Sequence, residues 1–137
     1  MQFIVNGMPQ GKSRARTVRN KYTGKVHSFT PEKTQNYEDL IRWAYKEAGG
    51  KYFGEQALRI DITAYFPMPQ SFSKTKRQQA FTGALKPTKK PDCDNILKVV
   101  LDALNGVAYH DDKQVTGVSC NKLYSDTGSL TITLLEL

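Results

Sequence analysis

Leu58, Ile60, Ile62, Ala64 and Phe66 alternate with Arg59, Asp61, Thr63 and Tyr65, the two-residue period of a strand with one buried face. Gln2–Val5 is short, apolar and β-branched and reads as an edge or initiating strand. Val115–Tyr124 and Ser129–Leu137 read as two more strands, set around a Ser125-Asp126-Thr127-Gly128 turn. A helical period begins where these alternations stop. Tyr37, Leu40, Ile41, Ala44, Tyr45 and Ala48 recur on one face until Gly49-Gly50 ends the helix. Thr30-Pro31 should start it, the hydroxyl capping a free amide and the proline taking the first helical position. Ile96, Leu97, Val100, Leu101 and Leu104 form the apolar face of a second helix, capped by Asp92 or Asp94 and closed by Asn105-Gly106. Pro67 and Pro69 stop the central strand, leaving room for a helical turn or two around Ser73–Phe81. The order strand, helix, strand, helix, strand, strand predicts an α+β fold. A single domain over residues 1–137 should pack one mixed β-sheet against two main helices.

The apolar pattern is interrupted between Gly7 and Phe29, a glycine- and charge-rich stretch expected to be a long loop with a hairpin turning at Tyr22-Thr23-Gly24-Lys25. Charge changes the picture here. The chain is basic, with a formal net charge of +7. Lys12, Arg14, Arg16, Arg19, Lys21 and Lys25 fall in the segment from Gln10 to Phe29, and Lys74, Lys76, Arg77, Lys86, Lys89 and Lys90 in the segment from Pro67 to Pro91. Neither segment contains an acid, so the remainder of the chain is acidic on balance. Segregation of this kind resembles a footprint for tracking phosphates, and composition alone does not separate it from two solvated loops. Two cysteines, Cys93 and Cys120, are too few for a disulfide framework. No apolar run approaches the roughly 20 residues of a membrane span, and Met1–Asn20 lacks the apolar core of a signal peptide, so the expectation is a cytoplasmic protein with no membrane partner.

Against this basic background the acids Asp92, Asp94, Asp111 and Asp112 are concentrated around one helix. Asp92 and Asp94 stand at a helix entry, where the free amides and the dipole favour their ionised forms. The helix from Asp94 to Leu104 advances about 16 Å, and an extended Val107–Asp112 would return about 20 Å. That match predicts that Asp111 and Asp112 come back beside Asp92 and Asp94. Clustered carboxylates need raised pKa values or a cation, and Mg²⁺ or Mn²⁺ suits an all-oxygen set better than Zn²⁺ does. An ion so held would serve hydrolysis of a phosphodiester. Lys98 lies one turn beyond Asp94; spacing favours an ion pair with Asp94 or Asp102 over a cation aimed at the phosphate. His110 reads more readily as a surface group than as a base. Cys93 should pack inward as a small apolar residue, and Phe72 and Phe81 are candidates either for stacking on unpaired bases or for a small hydrophobic cluster.

Pro91-Asp92-x-Asp94-Asn95-x-x-Lys98, Leu101-Asp102-Ala103-Leu104-Asn105-Gly106 and Asp111-Asp112-x-Gln114-Val115 together resemble the signature of the RusA family of Holliday junction resolvases of bacteria and their prophages. Gly11-Lys12-x-Arg14-x-Arg16 and the Thr30-Pro31 helix start match more weakly. The resemblance implies a RusA-like fold and a Mg²⁺-dependent endonuclease, with Mn²⁺ a plausible substitute, acting as a homodimer that cuts two opposed strands of a four-way DNA junction. It places catalysis and metal binding on Asp92, Asp94 and Asp112, with Asp111 a further candidate ligand, and makes Lys98 a catalytic residue, reversing the reading from spacing. Lys12, Arg14, Arg16, Arg19, Lys74, Lys76, Arg77, Lys89 and Lys90 are the candidate DNA contacts. Ala15 stands where a proline often precedes the second arginine, and the basic segment from Gln70 to Lys90 is longer than in compact members. Two alternatives remain at this point: a non-catalytic DNA-binding protein of a mobile element, and a metal-dependent nuclease acting on other branched DNA or on nucleotides.

Overall fold

The computed structural model of the protein describes residues 1–13 and 16–137, excluding the side chains of Arg16 and Phe29. Its elements run β1 (Gln2–Asn6), β2 (Arg16–Arg19), β3 (Val26–Phe29), α1 (Glu32–Glu47), β4 (Leu58–Pro67), α2 (Lys74–Thr82), α3 (Cys93–Leu104), a 3₁₀ turn (Asp112–Gln114), β5 (Val115–Ser125) and β6 (Ser129–Glu136). The α+β class is that expected from the periodicities. One four-stranded mixed sheet has the order β1-β6-β4-β5, and β2 and β3 form a separate antiparallel hairpin.

β4 is the organising strand. Its alternation buries Leu58, Ile60, Ile62, Ala64 and Phe66 on one face, and α1 and α3 pack against one another with their buried residues in the same core. Ile41 and Tyr45 of α1, Ile96, Val100 and Ala103 of α3, and Ile132 and Leu134 of β6 complete it. β4 pairs antiparallel with β6 and parallel with β5. The Ser125–Gly128 turn therefore joins two strands that are not neighbours, since β4 lies between them. A chain that leaves β4 and returns parallel to it must cross over, and α2 and α3 make that crossover.

Two local expectations are corrected. Helix α1 begins at Glu32 with Pro31 as its N-cap, in an extended conformation (ψ 144°) and without a side-chain cap bond, so the Thr30 hydroxyl does not cap it. On the same helix Leu40 and Ala48 are exposed while Glu38 is buried. A carboxylate takes an inward position there because it is paired from outside the helix. The hairpin turn expected at Tyr22–Lys25 forms, and the Asn20 side chain sets it by accepting from the amides of Tyr22 and Thr23 at 2.8 and 3.1 Å.

Candidate active site

Asp92 is the N-cap of α3 (φ −81°, ψ 160°) and Asp94 lies in its first turn. The Asp92 carboxylate makes no cap bond to a helix amide. It accepts from its own amide and, at 2.7 Å, from the Asn95 side-chain amide, and these bonds hold it below the usual carboxylate range. Both acids and Lys98 are exposed. With Lys12, Ser13 and Asn95 they line a cleft of about 330 Å³. Lys98 makes no ion pair with either of the acids that spacing offered it; Asp102 pairs with Lys12 instead. Lys98 thus lines the same cleft as Asp92 and Asp94, and the oxygen-only acids are a donor set that suits Mg²⁺.

The Gly11-Lys12-Ser13 segment forms the opposite wall by lying on the helix entry. A Cβ at Gly11 would sit 2.8 Å from the Asn95 Cβ and 3.1 Å from the Pro91 Cβ, so only glycine allows this approach. The Lys12 amide donates to the Asn95 carbonyl at 2.9 Å and the Ser13 amide to the Thr34 hydroxyl at 3.2 Å. The Lys12 ammonium reaches Glu38 at 2.5 Å and Asp102 at 3.1 Å. Lys12, expected as a DNA contact, is committed to tying the loop, α1 and α3 together. Burial works against its charge, but the two carboxylates outweigh it and raise its pKa.

Lys12→Met is therefore expected to cost about 1–3 kcal/mol of stability, because among the described residues it leaves buried Glu38 with a distant arginine; that arginine is Arg42, at 3.8 Å. Urea titration checks it. With the Lys12 pKa raised in the fold, its contribution is complete below the unfolded-state value of about 10.4 and is lost as pH climbs through the folded value. The gap between wild type and variant should close only in strong alkali.

The second pair of acids lies elsewhere. Val107–Asp112 is not the extended return predicted from its length. The Val107 and Ala108 amides turn back to the Leu104 carbonyl and the Gly106 amide to that of Tyr109, so the chain coils tightly at the end of α3. Asp111 caps the 3₁₀ turn through the Lys113 amide, and the Gln114 side chain accepts from the Asp111 amide at 3.0 Å while donating to the carbonyls of Gly54 and Gln56 at 2.8 and 2.7 Å. Gln114 is thus the anchor that ties Asp111 to the Gly54–Gln56 segment. Asp111 and Asp112 share a hydrogen bond that, with burial and the nearby Asp111 and Asp102 charges, raises Asp112, whereas the Lys113 amide lowers Asp111. The helix acid whose field reaches Asp112 is Asp102, near the far end of α3 from Asp92 and Asp94. Among the described residues no three His, Cys, Asp or Glu side chains stand together as a metal cage.

The basic residues divide similarly. Lys74, Lys76, Lys89, Lys90 and Arg19 are exposed. Arg77 donates to the Pro69 and Gln70 carbonyls, both at 3.3 Å, and pins α2 to its leading loop. Arg14 and the side chain of Arg16 lie outside the described residues. Lys122 on β5, which no local pattern singles out, joins Lys89 and Lys90 along a groove of about 500 Å³ that shares Lys12, Ser13, Asp92 and Asn95 with the acid cleft. Phe72 packs edge-on against Tyr124 at 5.4 Å, a small cluster, while Phe81 is exposed. Cys93 is half-buried, its thiol donating to the Cys120 carbonyl at 3.4 Å.

An uncharacterized protein, YqaN, of Bacillus subtilis (strain 168) is 34% identical over 140 residues, covering 100% of this chain and 96% of its own length. The family model for endodeoxyribonuclease RusA matches residues 6–135, which takes in the Gly11–Ser13 wall, both pairs of acids, β4, β5 and all but the last residue of β6. With that match running through nearly the whole chain, the protein belongs to the RusA family of endodeoxyribonucleases.

Proposed function

We propose that this endonuclease is a Mg²⁺-dependent Holliday junction resolvase, with Mn²⁺ an acceptable substitute, that acts as a homodimer in DNA recombination and repair of a bacterial or prophage genome. The observation that carries the reading is the division of its acids: Asp92 and Asp94 stand at the start of α3, and Asp111 and Asp112 follow a segment that hydrogen bonds hold to its Leu101–Leu104 end. Asp94 and Asp102 are eight residues apart, about 12 Å along the helix axis, whereas the ligands of Mg²⁺ lie only about 2.1 Å from it. One chain therefore offers Asp92 and Asp94 at one end, and Asp112 with Asp111 at the other, without joining them. A two-fold dimer can set the first pair of each copy against the second pair of its partner, making two equivalent sites. Two sites related by symmetry match a substrate cut in two opposed strands.

In this reading Asp92, Asp94 and Asp112 hold the ion, with Asp111 supplying a further bond to Asp112. When bound, the ion supplies Lewis-acid stabilisation of the charge on the scissile phosphate and lowers the pKa of the attacking water. Asn95 keeps the Asp92 carboxylate oriented and ionised. Lys98 presents a cation to the charge that develops as the phosphodiester opens. Lys89, Lys90 and Lys122 hold the flanking phosphates along the groove. The arms of the junction fall to Lys74, Lys76 and Arg19, with Arg14 and Arg16 completing the basic set.

Four-way junction, flap, duplex and free nucleotide, compared at one salt concentration with Mg²⁺, test the proposal. The junction should be incised in opposed strands at a rate well above the others. Comparable cutting of flap or duplex would reassign the substrate, and junction binding without cleavage under any divalent ion would make the protein a DNA-binding factor instead.

A further inference from the structure

A second cavity opens from the basic groove on the side away from Asp94, and its lining is of a different kind. Met8, Pro9, Phe66, Pro67, Pro69, Pro87, Pro91 and Tyr124 enclose about 310 Å³, with Lys89 and Lys90 the charged residues on it among the described residues. Phe66 is buried at the end of β4 and Tyr124 is half-buried on β5. Phe72 braces the outer side of Tyr124, and the Lys122 ammonium lies 5.5 Å from the Phe66 ring centroid. Prolines on three separate segments stiffen the walls, since each has its φ locked. A preformed apolar cavity with aromatic walls would ordinarily be filled by the protein's own side chains or covered by another element. This one is left open beside a phosphate-binding groove.

The neighbourhood identifies the occupant. Lys89, Lys90 and Pro91 line both this cavity and the groove, and Lys12, Ser13, Asp92 and Asn95 line both the groove and the acid cleft. The three spaces are thus one continuous path: acids, then cations, then an apolar socket. A DNA strand offers the same chemistries side by side: a scissile phosphate, the next phosphate along, and a base projecting from the sugar that they flank. A peptide or lipid would match the socket but has no use for the cation row leading to the acids. We infer that the socket of Met8, Phe66, Pro69, Pro87 and Tyr124 receives one unstacked nucleobase adjacent to the scissile phosphate. The inference rests on the proposed junction nuclease and deepens it.

The socket reads a base by shape and stacking, because every base has an aromatic face and the walls offer few polar atoms. Extruding a base from continuous duplex costs a few kcal/mol, and less where pairing is already broken. A branch point is such a place. Filling the socket therefore favours phosphates at the crossover over phosphates in an arm, and it holds the strand in register with Asp92 and Asp94.

The test uses the full-length protein and a synthetic junction carrying a single abasic site, moved one nucleotide at a time through the two positions on either side of each crossover. Binding is measured with the Asp94→Asn protein in Mg²⁺, where the junction should remain uncut, and cleavage of the unmodified junction by wild type is run alongside. One abasic position should weaken binding about tenfold, within the range of a single stacked base, and 2-aminopurine at that position should brighten on binding. Adding Tyr124→Ala, which removes a wall, or Met8→Trp, which fills the socket from an exposed position, should weaken binding of the intact junction similarly and erase its sensitivity to the abasic site. An abasic penalty unchanged by both substitutions, or no penalty at any position, overturns the inference. So does loss of self-association in Met8→Trp with junction sensitivity intact, which would make the socket a subunit contact. Failure of wild type to cut the unmodified junction strikes the nuclease reading itself, independently of the abasic scan.

Discussion

Asp94→Asn is expected to lower junction cleavage by at least about a thousandfold while leaving junction binding within a fewfold of wild type. The substitution preserves size and hydrogen-bonding shape and removes one negative charge from the first turn of α3. Asp94 is exposed and no apolar packing depends on it, so the fold should survive, as circular dichroism and the urea midpoint can verify. In the proposed reading binding is carried by the lysines of the groove and the basic arms, and losing an acid beside them should weaken it little or even strengthen it. Cleavage, in contrast, loses a ligand from a set that is already sparse. Cleavage at a normal rate in Mg²⁺ would remove Asp94 from the metal site and with it the assignment of the whole cleft.

The fold was legible wherever one face of an element meets the core. β4 alternates because every second residue is buried under the helices, and α3 shows its stripe because Ile96, Val100, Ala103 and Leu104 touch the same interior. The placing of Asp92 and Asp94 at a helix entry was legible for a related reason, since local sequence specifies that entry. What was not legible depends on partners distant in sequence. Glu38 is buried because Lys12 reaches it from a loop 26 residues away, and nothing around Glu38 announces that. The extended return of Val107–Asp112 failed because the Leu104 and Tyr109 carbonyls capture the turn, and Gln114 then ties Asp111 to the Gly54 and Gln56 carbonyls. A length match between a helix and the segment after it says how far the chain can reach, and not where its hydrogen bonds will hold it. Lys122 was missed because a lysine on an edge strand is ordinary until the groove beside it is seen.

That misplaced return has a consequence for mechanism: the segment before Asp112 is held at the Leu101–Leu104 end of α3 and Asp112 does not line the Asp94 cleft, so the proposed account requires two copies of the chain for one site. Mixed dimers measure this directly. Asp94→Asn and Asp112→Asn are each expected to be inactive alone, since each removes a carboxylate from both sites of the dimer. When differently tagged copies are co-expressed and the heterodimer is isolated, one site collects both substitutions and the other has neither. The heterodimer should therefore regain nicking of a single strand of the four-way junction, at up to about half the wild-type rate per dimer. If the heterodimer is as inactive as its parents, the acids act within one chain and the divided site is contradicted.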